Sequence, residues 1–371
     1  MEKALLDLCQ NFNISGEFDS IEIVSNGHIN STFLIRFNEN GKIKEYILQK
    51  LNGHVFKNQG DVMENISAVT EHIINKLESQ NKSADRKTLI FKKTDDGTNY
   101  KIDEYGDFWR ISEFVENSIT FNETNNLKIL TETGKAFGEF QNYLSDFPAE
   151  KLNIILPEFH NTQNRYDIFK KTLKEDPQKR AWRVVLDIND YLMLEGLATQ
   201  MQRMLESGKL NLKVTHNDTK CNNVLFDKDT FDHLCVIDLD TVMPGLLGFD
   251  FGDAIRFAAN SASEDETDLS KVTLDLNKYK AFTEGFLSSI GDSITEEEKD
   301  TLALGAITMT VECGLRFLTD YIDGDNYFKT EYPTHNLDRA RCQLALAKDM
   351  IKKYENMKQI VDEYFYISQK Q

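Results

Sequence analysis

VTHNDTKCNNVLFD, residues 214–227, sets a histidine, an acid and an amide in fixed order inside a short apolar frame. Asp218 follows His216 by two positions, and Asn223 follows Asp218 by five. The stretch reads as strand, loop and strand (LKVTH, NDTKCN, NVLF), and a further apolar strand, HLCVIDLD, follows at 233–240. Hydrophobic strands pin the loop between them, which suits an acid that must stay within hydrogen-bond reach of a substrate hydroxyl. One hairpin brings Asp218 and Asp238, 20 residues apart, to the same edge. A lone Asp in a loop is ordinarily a turn former or a helix cap. The conjunction H-x-D-x-x-x-x-N…I-D between apolar strands instead supplies the parts of metal-dependent phosphoryl transfer. A base orients the attacking hydroxyl, while an amide and a second carboxylate hold Mg2+ against nucleotide phosphates. Asp218 is the candidate base; Asn223 and Asp238 are the candidate metal ligands.

A second acidic motif follows. FDFGDAIRF (249–257) contains the letters DFG, but Asp250 stands 32 residues after Asp218, beyond the PGLLG turn. Asp238 fits the metal role better by spacing. Asp250 and Asp253 are expected to brace the loop and to open a helix over 252–260, with Arg256 the ion partner of one of them.

Outward from this motif the chain divides. Before it, strand candidates fall at 20–25, 31–37, 44–51, 87–92, 99–103 and 108–115, separated by turn signals such as NENGK (38–42) and DDGT (95–98). One helix, roughly 60–79, carries Val62, Ile66, Val69, Ile73 and Leu77 at helical spacing. After SEFVENS (112–118) the period is helical over 127–144, 164–175, 181–206, 275–290, 296–322 and 336–367. The strand island around 212–240 is the one interruption. The expected fold class is α+β and bilobal. Residues 1–113 form a nucleotide-binding lobe of antiparallel sheet with one helix, and residues 114–371 a larger helical catalytic lobe. Interlobe clefts commonly hold ligands.

The 371 residues, 40% of them hydrophobic, suffice for two lobes with their own cores. A net charge of −18 argues against a nucleic-acid partner. Some of the acid lies in runs, SEDETD (263–268) and TEEEK (295–299), that read as solvated surface. Five scattered cysteines without a C-x-x-C pair argue against disulfides or a zinc site and fit a reducing compartment. MEKALLDLCQNF reads as a short amphipathic helix rather than a signal peptide, and no long apolar run predicts a membrane span. The expected location is cytoplasmic.

HNDTKxNN and VIDLDTVMPG resemble the aminoglycoside phosphotransferase/choline kinase superfamily, whose fold is protein-kinase-like. NGHINSTF (26–33), YILQKLN (46–52), WRISEFVE (109–116), FGEFQNYL (137–144), VECGLRFLTDY (311–321) and KTEYPTHNL (329–337) resemble the bacterial N-acetylhexosamine 1-kinases within it. That resemblance implies transfer of the ATP γ-phosphoryl group to the anomeric hydroxyl of GlcNAc or GalNAc, with Mg2+ as cofactor, a small-molecule sugar and a nucleotide as partners, and neither nucleic acid nor membrane. It implies Asp218 as base, Asn223 and Asp238 as metal ligands, and His28, Asp218, Phe257, Arg316 and Tyr327 around the sugar. Backbone groups of Glu113 and Val115 would meet adenine. The N-lobe has no glycine-rich loop, so Asn30, Ser31 and Thr32 are the candidates for phosphate contact there. Lys50, at the end of YILQK, is the candidate phosphate lysine, and either Glu64 or Glu71 its ion partner. Two other readings compete: a kinase for a cationic acceptor (an aminoglycoside or choline), and a nucleotide-binding scaffold without activity.

Overall fold

The computed structural model describes residues 2–24 and 30–370. A short helix, α1 (Glu2–Cys9), precedes a five-stranded antiparallel sheet made of β1 (Glu17–Val24), β2 (Ser31–Glu39), β3 (Lys42–Lys50), β4 (Lys101–Ile102) and β5 (Phe108–Glu113). The sheet order is β1-β2-β3-β5-β4. Between β3 and β4 runs α2 (Gln59–Ser79). The alternation of each strand sends Ile35, Phe37, Tyr46, Leu48, Trp109 and Ile111 to one face. There they bury against Leu5, Leu8, Cys9 and Phe12 of the N-terminal segment. The other face looks toward α2 and the rest of the chain.

The segment expected as a strand at 87–92 forms only a single bridge, Phe91 to Ser112, although Lys92 and Glu113 exchange backbone bonds with the opposite segments. The strand expected at 99–103 shrinks to the two residues of β4.

Beyond β5 the chain passes through β6 (Ser118–Ile119) into α3 (Leu127–Tyr143), α4 (Thr162–Glu175), α5 (Val185–Ala198) and α6 (Gln200–Glu206). Next come β7 (Lys213–Thr215), β8 (Val224–Asp227), β9 (His233–Val236) and β10 (Met243–Gly245). The chain closes with α7 (Leu247–Ala258), α8 (Leu276–Ile290), α9 (Glu296–Asp323), α10 (His335–Lys352) and α11 (Tyr354–Ser368). The helix expected over 181–206 starts with a 3-10 turn, Ala181–Val184, and breaks at Thr199. The helix expected over 336–367 breaks at Lys353, whose ammonium is tied to Asp349, Thr273 and the Leu274 carbonyl. A single apolar cluster joins Val62, Ile66 and Ile73 of α2 to the helices of the second half. The first lobe's helix thus packs as part of the second lobe's core.

Helix α9 combines the length and apolar character of a membrane span, yet 89% of that window is buried inside the protein. It is the central core helix. Its N-terminus is a capping box, in which Thr295 and Glu298 satisfy each other's backbone N–H groups. Glu298 is buried and paired with Lys213 at 2.8 Å, so the TEEEK run is only partly surface. Glu264, in the other acidic run, likewise pairs with Arg256 at 2.7 Å. Helices α7 and α9 approach until backbone meets backbone. A Cβ on Gly252 would lie 2.3 Å from the Gly305 carbonyl oxygen, and one on Gly305 would lie 2.0 Å from that of Gly248. This contact seats α7 beneath the 214–223 loop.

Candidate active site

The β8–β9 hairpin pairs Val224 with Val236, and Ile237 N–H donates to the Asn223 carbonyl at 2.9 Å. Asn223 therefore sits beside the residue preceding Asp238. Asn223 Nδ2 donates to the Asp218 backbone carbonyl at 2.8 Å and to its carboxylate at 3.0 Å. With both amide protons spent on Asp218, Oδ1 is the atom left to meet a cation. Lys220 Nζ lies 2.7 Å from the other Asp218 oxygen. Burial lowers the Lys220 pKa, but Asp218 and Asp253 more than offset this, so it stays a cation.

The loop is held from beneath. His216 and Asn217 each donate a backbone N–H at 2.8 Å to the Asp250 carboxylate, and Gln141 adds a third bond at 3.0 Å. The bracing expected of Asp250 is present. Burial keeps its carboxyl above the ordinary range, against the pull of His216 and Asn217. Asp253 pairs with Arg256 at 2.9 Å, as expected. His216 is buried, with its ring edge-on to Phe137. Its Nδ1 accepts from Asp218 N–H at 3.3 Å, and its Nε2 meets the Ile237 carbonyl at 2.9 Å. Those partners assign the ring proton to Nε2. One imidazole thereby links the 214–223 loop at Asp218 to the residue before Asp238.

Strand β9 stops at Val236 because Asp238 takes a left-handed conformation (φ 59°, ψ 53°) before a 3-10 turn, Leu239–Thr241. Asp tolerates that region better than most residues. Asp238 is exposed, although the protein around it still withdraws its carboxyl from part of the solvent. That enclosure, with Asp240 and Asp218 nearby, pushes it up to about 6. Mutually repelling acids beside a free amide oxygen fit a hard divalent cation. Among the described residues, however, no three acidic, His or Cys side chains converge tightly enough to hold a metal alone. Mg2+ is commonly bound by one or two carboxylates together with substrate phosphates.

On the sheet side, Lys50 faces away from the cleft. It shares its side of β3 with Tyr46 and Leu48, stands opposite Trp109, and pairs with Asp107 at 2.8 Å. The cleft-side neighbour is Gln49, whose Oε1 accepts from Arg110 Nε at 3.0 Å. Arg110, buried, donates Nη1 to Asp240 and lies 3.8 Å from Met63 of α2. Neither acid considered in α2 meets a cation of this face: Glu64 bonds Asn153, and Glu71 pairs with Lys93. Asn30 donates to Asp240 at 2.6 Å, and Thr32 accepts from Gln49 at 3.2 Å. Ser31 is exposed.

At the hinge, Glu113 N–H is spent on the Ile90 carbonyl. The Val115 carbonyl accepts from Ser118. Val115 N–H has no partner among the described residues, which leaves it for a ligand.

Of the sugar candidates, His28 lies outside the described residues. Arg316 and the exposed Tyr327 meet, Nη2 to hydroxyl, at 3.4 Å. The guanidinium also covers Phe159, Tyr327 and Phe328, 5.4–5.6 Å from their ring centres. Asp320, one turn along α9, is not its partner: it accepts the backbone N–H groups of Asn326, Tyr327 and Phe328 and so fixes that loop. Among the described residues no carboxylate lies within ion-pair distance of Arg316. Phe257 lines a separate hollow of about 390 Å³, with Cys221, Arg256, Asn260 and Gln343.

The sequence pattern does not single out Lys220, Arg110 or His160. His160 bridges buried Glu312 at 2.9 Å and the Asn217 carbonyl at 3.3 Å. Arg110 carried a usable signal, since in WRIS the two apolar residues share one face and place Arg on the other.

Residues 94–276, just under half of the chain, match the phosphotransferase enzyme family, APH. An aminoglycoside phosphotransferase from Alicyclobacillus acidocaldarius has a similar structure, with a TM-score of 0.66 at 11% identity over 96% of this chain and 96% of that one. A choline kinase from Cryptosporidium parvum gives 0.54 at 15% identity over 99% of this chain and 100% of the other. A spectinomycin phosphotransferase in complex with ADP and spectinomycin gives 0.55 at 12% identity, covering 95% of this chain and 98% of that one. At such identities the likeness is one of fold. Over residues 94–276, which hold the 214–223 loop and the turn at Asp238, this chain thus matches the APH phosphotransferase family, on the protein-kinase-like fold of aminoglycoside phosphotransferases and choline kinases.

Proposed function

We propose that the protein is an ATP-dependent kinase that phosphorylates the anomeric hydroxyl of N-acetylhexosamines, GlcNAc or GalNAc. The family match supports phosphoryl transfer, and the spectinomycin phosphotransferase bound to ADP supports an adenine nucleotide. Asp218 accepts the proton of the anomeric hydroxyl as its oxygen bonds to the γ-phosphorus. The bond from that phosphorus to the β-phosphate bridging oxygen breaks, leaving ADP. Lys220 keeps the Asp218 carboxylate oriented. Asn223 Oδ1 and Asp238 would hold Mg2+, which neutralises phosphate charge when bound.

One observation carries the choice of acceptor. Arg316 has no carboxylate partner among the described residues, and its guanidinium already occupies the faces of Phe159, Tyr327 and Phe328. A cationic acceptor needs carboxylates or open aromatic faces; hydroxyl and acetamide oxygens suit a guanidinium that no carboxylate neutralises. A charged donor bonded to such oxygens contributes about 1.5–3 kcal/mol, so Arg316→Ala should raise the sugar KM by about one to two orders of magnitude. The KM for ATP should stay nearly constant. If choline or an aminoglycoside becomes a better substrate while GlcNAc is unaffected, the acceptor is cationic.

The function itself is tested by incubating the protein with ATP, Mg2+ and GlcNAc, GalNAc, their methyl α-glycosides, choline and kanamycin. Products are identified by mass and ³¹P NMR. Free sugars should give a phosphate released by mild acid, and the methyl glycosides, blocked at the reacting oxygen, should be inert. An efficiently phosphorylated methyl glycoside would move the reaction to another hydroxyl.

A further inference from the structure

We propose that Arg110 is a positioning residue of the nucleotide site: through Asp240 it fixes the turn that carries Asp238. The proposal rests on the phosphotransferase reading, not on the identity of the acceptor.

Thr32, Gln49 and Arg110 are register partners across β2, β3 and β5, and all three project from the cleft face. They form one chain of hydrogen bonds, Gln49 Nε2 to Thr32 and Arg110 Nε to Gln49 Oε1. That chain ends on Asp240, which takes Arg110 on one carboxylate oxygen and Asn30 on the other. Asn30 in turn accepts from Asn52 N–H at 3.0 Å. The start of β2, the end of β3 and the middle of β5 therefore converge on a residue two positions beyond Asp238. From the other side, Asn65 of α2 donates to the Val242 carbonyl at 2.8 Å, closing the far end of the same turn.

Arg110 is the cation at this end of the face. Lys50 points to the opposite side, toward Asp107. Arg36 shares the cleft face, but it stands opposite Glu45, four rungs away, and is paired with Glu45 and Glu22. A planar guanidinium bonds an amide and a carboxylate simultaneously from fixed positions; an ammonium on a flexible stem does not. The Asp238 side chain has no hydrogen-bond partner among the described residues, and its left-handed backbone leads directly into the Leu239–Thr241 turn that Asp240 anchors. Outer partners that orient metal ligands act on metal affinity rather than on the substrate.

The test uses the full chain and reads Mg2+-dependent ADP binding alongside phosphoryl transfer. Arg110→Lys keeps the charge and loses the double bond. It should fold and raise the Mg2+ concentration for half-saturation by about 10–100-fold, the range typical of outer partners. The sugar KM should be unchanged. Arg110→Gln and Asp240→Asn should each show the same phenotype, and their combination should be no worse than the more impaired single variant, because the two act as a unit. Multiplicative losses, or normal Mg2+ dependence in Arg110→Lys, would overturn the proposal. So would a lysine variant that does not fold, since the pair would then serve the fold and not the site. If the wild type binds Mg2+ and ADP but phosphorylates no hexosamine, the acceptor assignment fails, and the binding titration still decides the role of Arg110.

Discussion

Asp218→Asn should lower turnover by about 10²–10⁴-fold, the contribution of a positioned general base, while nucleotide affinity changes only a few-fold. The substitution preserves shape. The loop does not depend on this carboxylate, because Asp250 holds the N–H groups of His216 and Asn217 from beneath, and Asn223 still bonds the residue-218 carbonyl. The substitution removes the lone pair that takes the hydroxyl proton. It also leaves Lys220 without its carboxylate, a loss that falls on the transferring group rather than on adenine. Steady-state kinetics and a nucleotide titration on the same preparation separate the two effects. Unchanged turnover would take Asp218 out of the mechanism.

That the candidate base stands out in the sequence reflects how local its setting is. His216, Asp218, Asn223 and Asp238 lie within 23 residues, on the loop between β7 and β8 and at the open end of the β8–β9 hairpin, and the apolar residues that pin them have strand periodicity in the same short stretch. The helices of the second lobe were equally readable, because an amphipathic period of 3.6 survives without knowledge of neighbours. The break at Lys353 was not. Lys353 ends α10 through bonds to Thr273 and Leu274, 80 and 79 positions away, and no local signal marks them. The pairings of β6 with β8 and of β10 with β7 involve two or three residues each, too few to show alternation.

The cation on the cleft face of the sheet was hidden for a different reason. Lys50 has the right residue type, but the register of β3 decides which face it joins, and a one-residue change of parity reverses the answer. Trp109 across the ladder and Leu48 two residues earlier place Lys50 on the outer face. Arg110 meets Asp240 over a separation of 130 residues, a contact that exists only once the lobes have docked. Side chains that work across the cleft are therefore the least visible in sequence, although the cleft is where the chemistry is proposed.

Asp238→Ala should act on the metal rather than on the hydroxyl. The Mg2+ concentration for half-maximal activity should rise by more than about 100-fold, beyond the range for outer partners, and nucleotide binding should lose its dependence on Mg2+. A pH signature accompanies this. The Asp238 carboxyl sits near 6, above the ordinary carboxylate range, held there by its enclosure and by Asp240 and Asp218. A raised carboxyl stabilises the metal-free fold at low pH, and that contribution is lost as pH rises from about 4 through about 6. Mg2+ relieves the repulsion only when the carboxyl is ionised, so added Mg2+ and ADP should raise Tm more at pH 7.5 than at pH 5. Protons should compete with the metal below about 6. Both trends should vanish in Asp238→Ala. A normal Mg2+ titration in that variant, beside an inactive but folded Asp250→Ala, would move the metal to Asp250. The geometry opposes that outcome, because the two Asp250 oxygens are already committed to His216, Asn217 and Gln141.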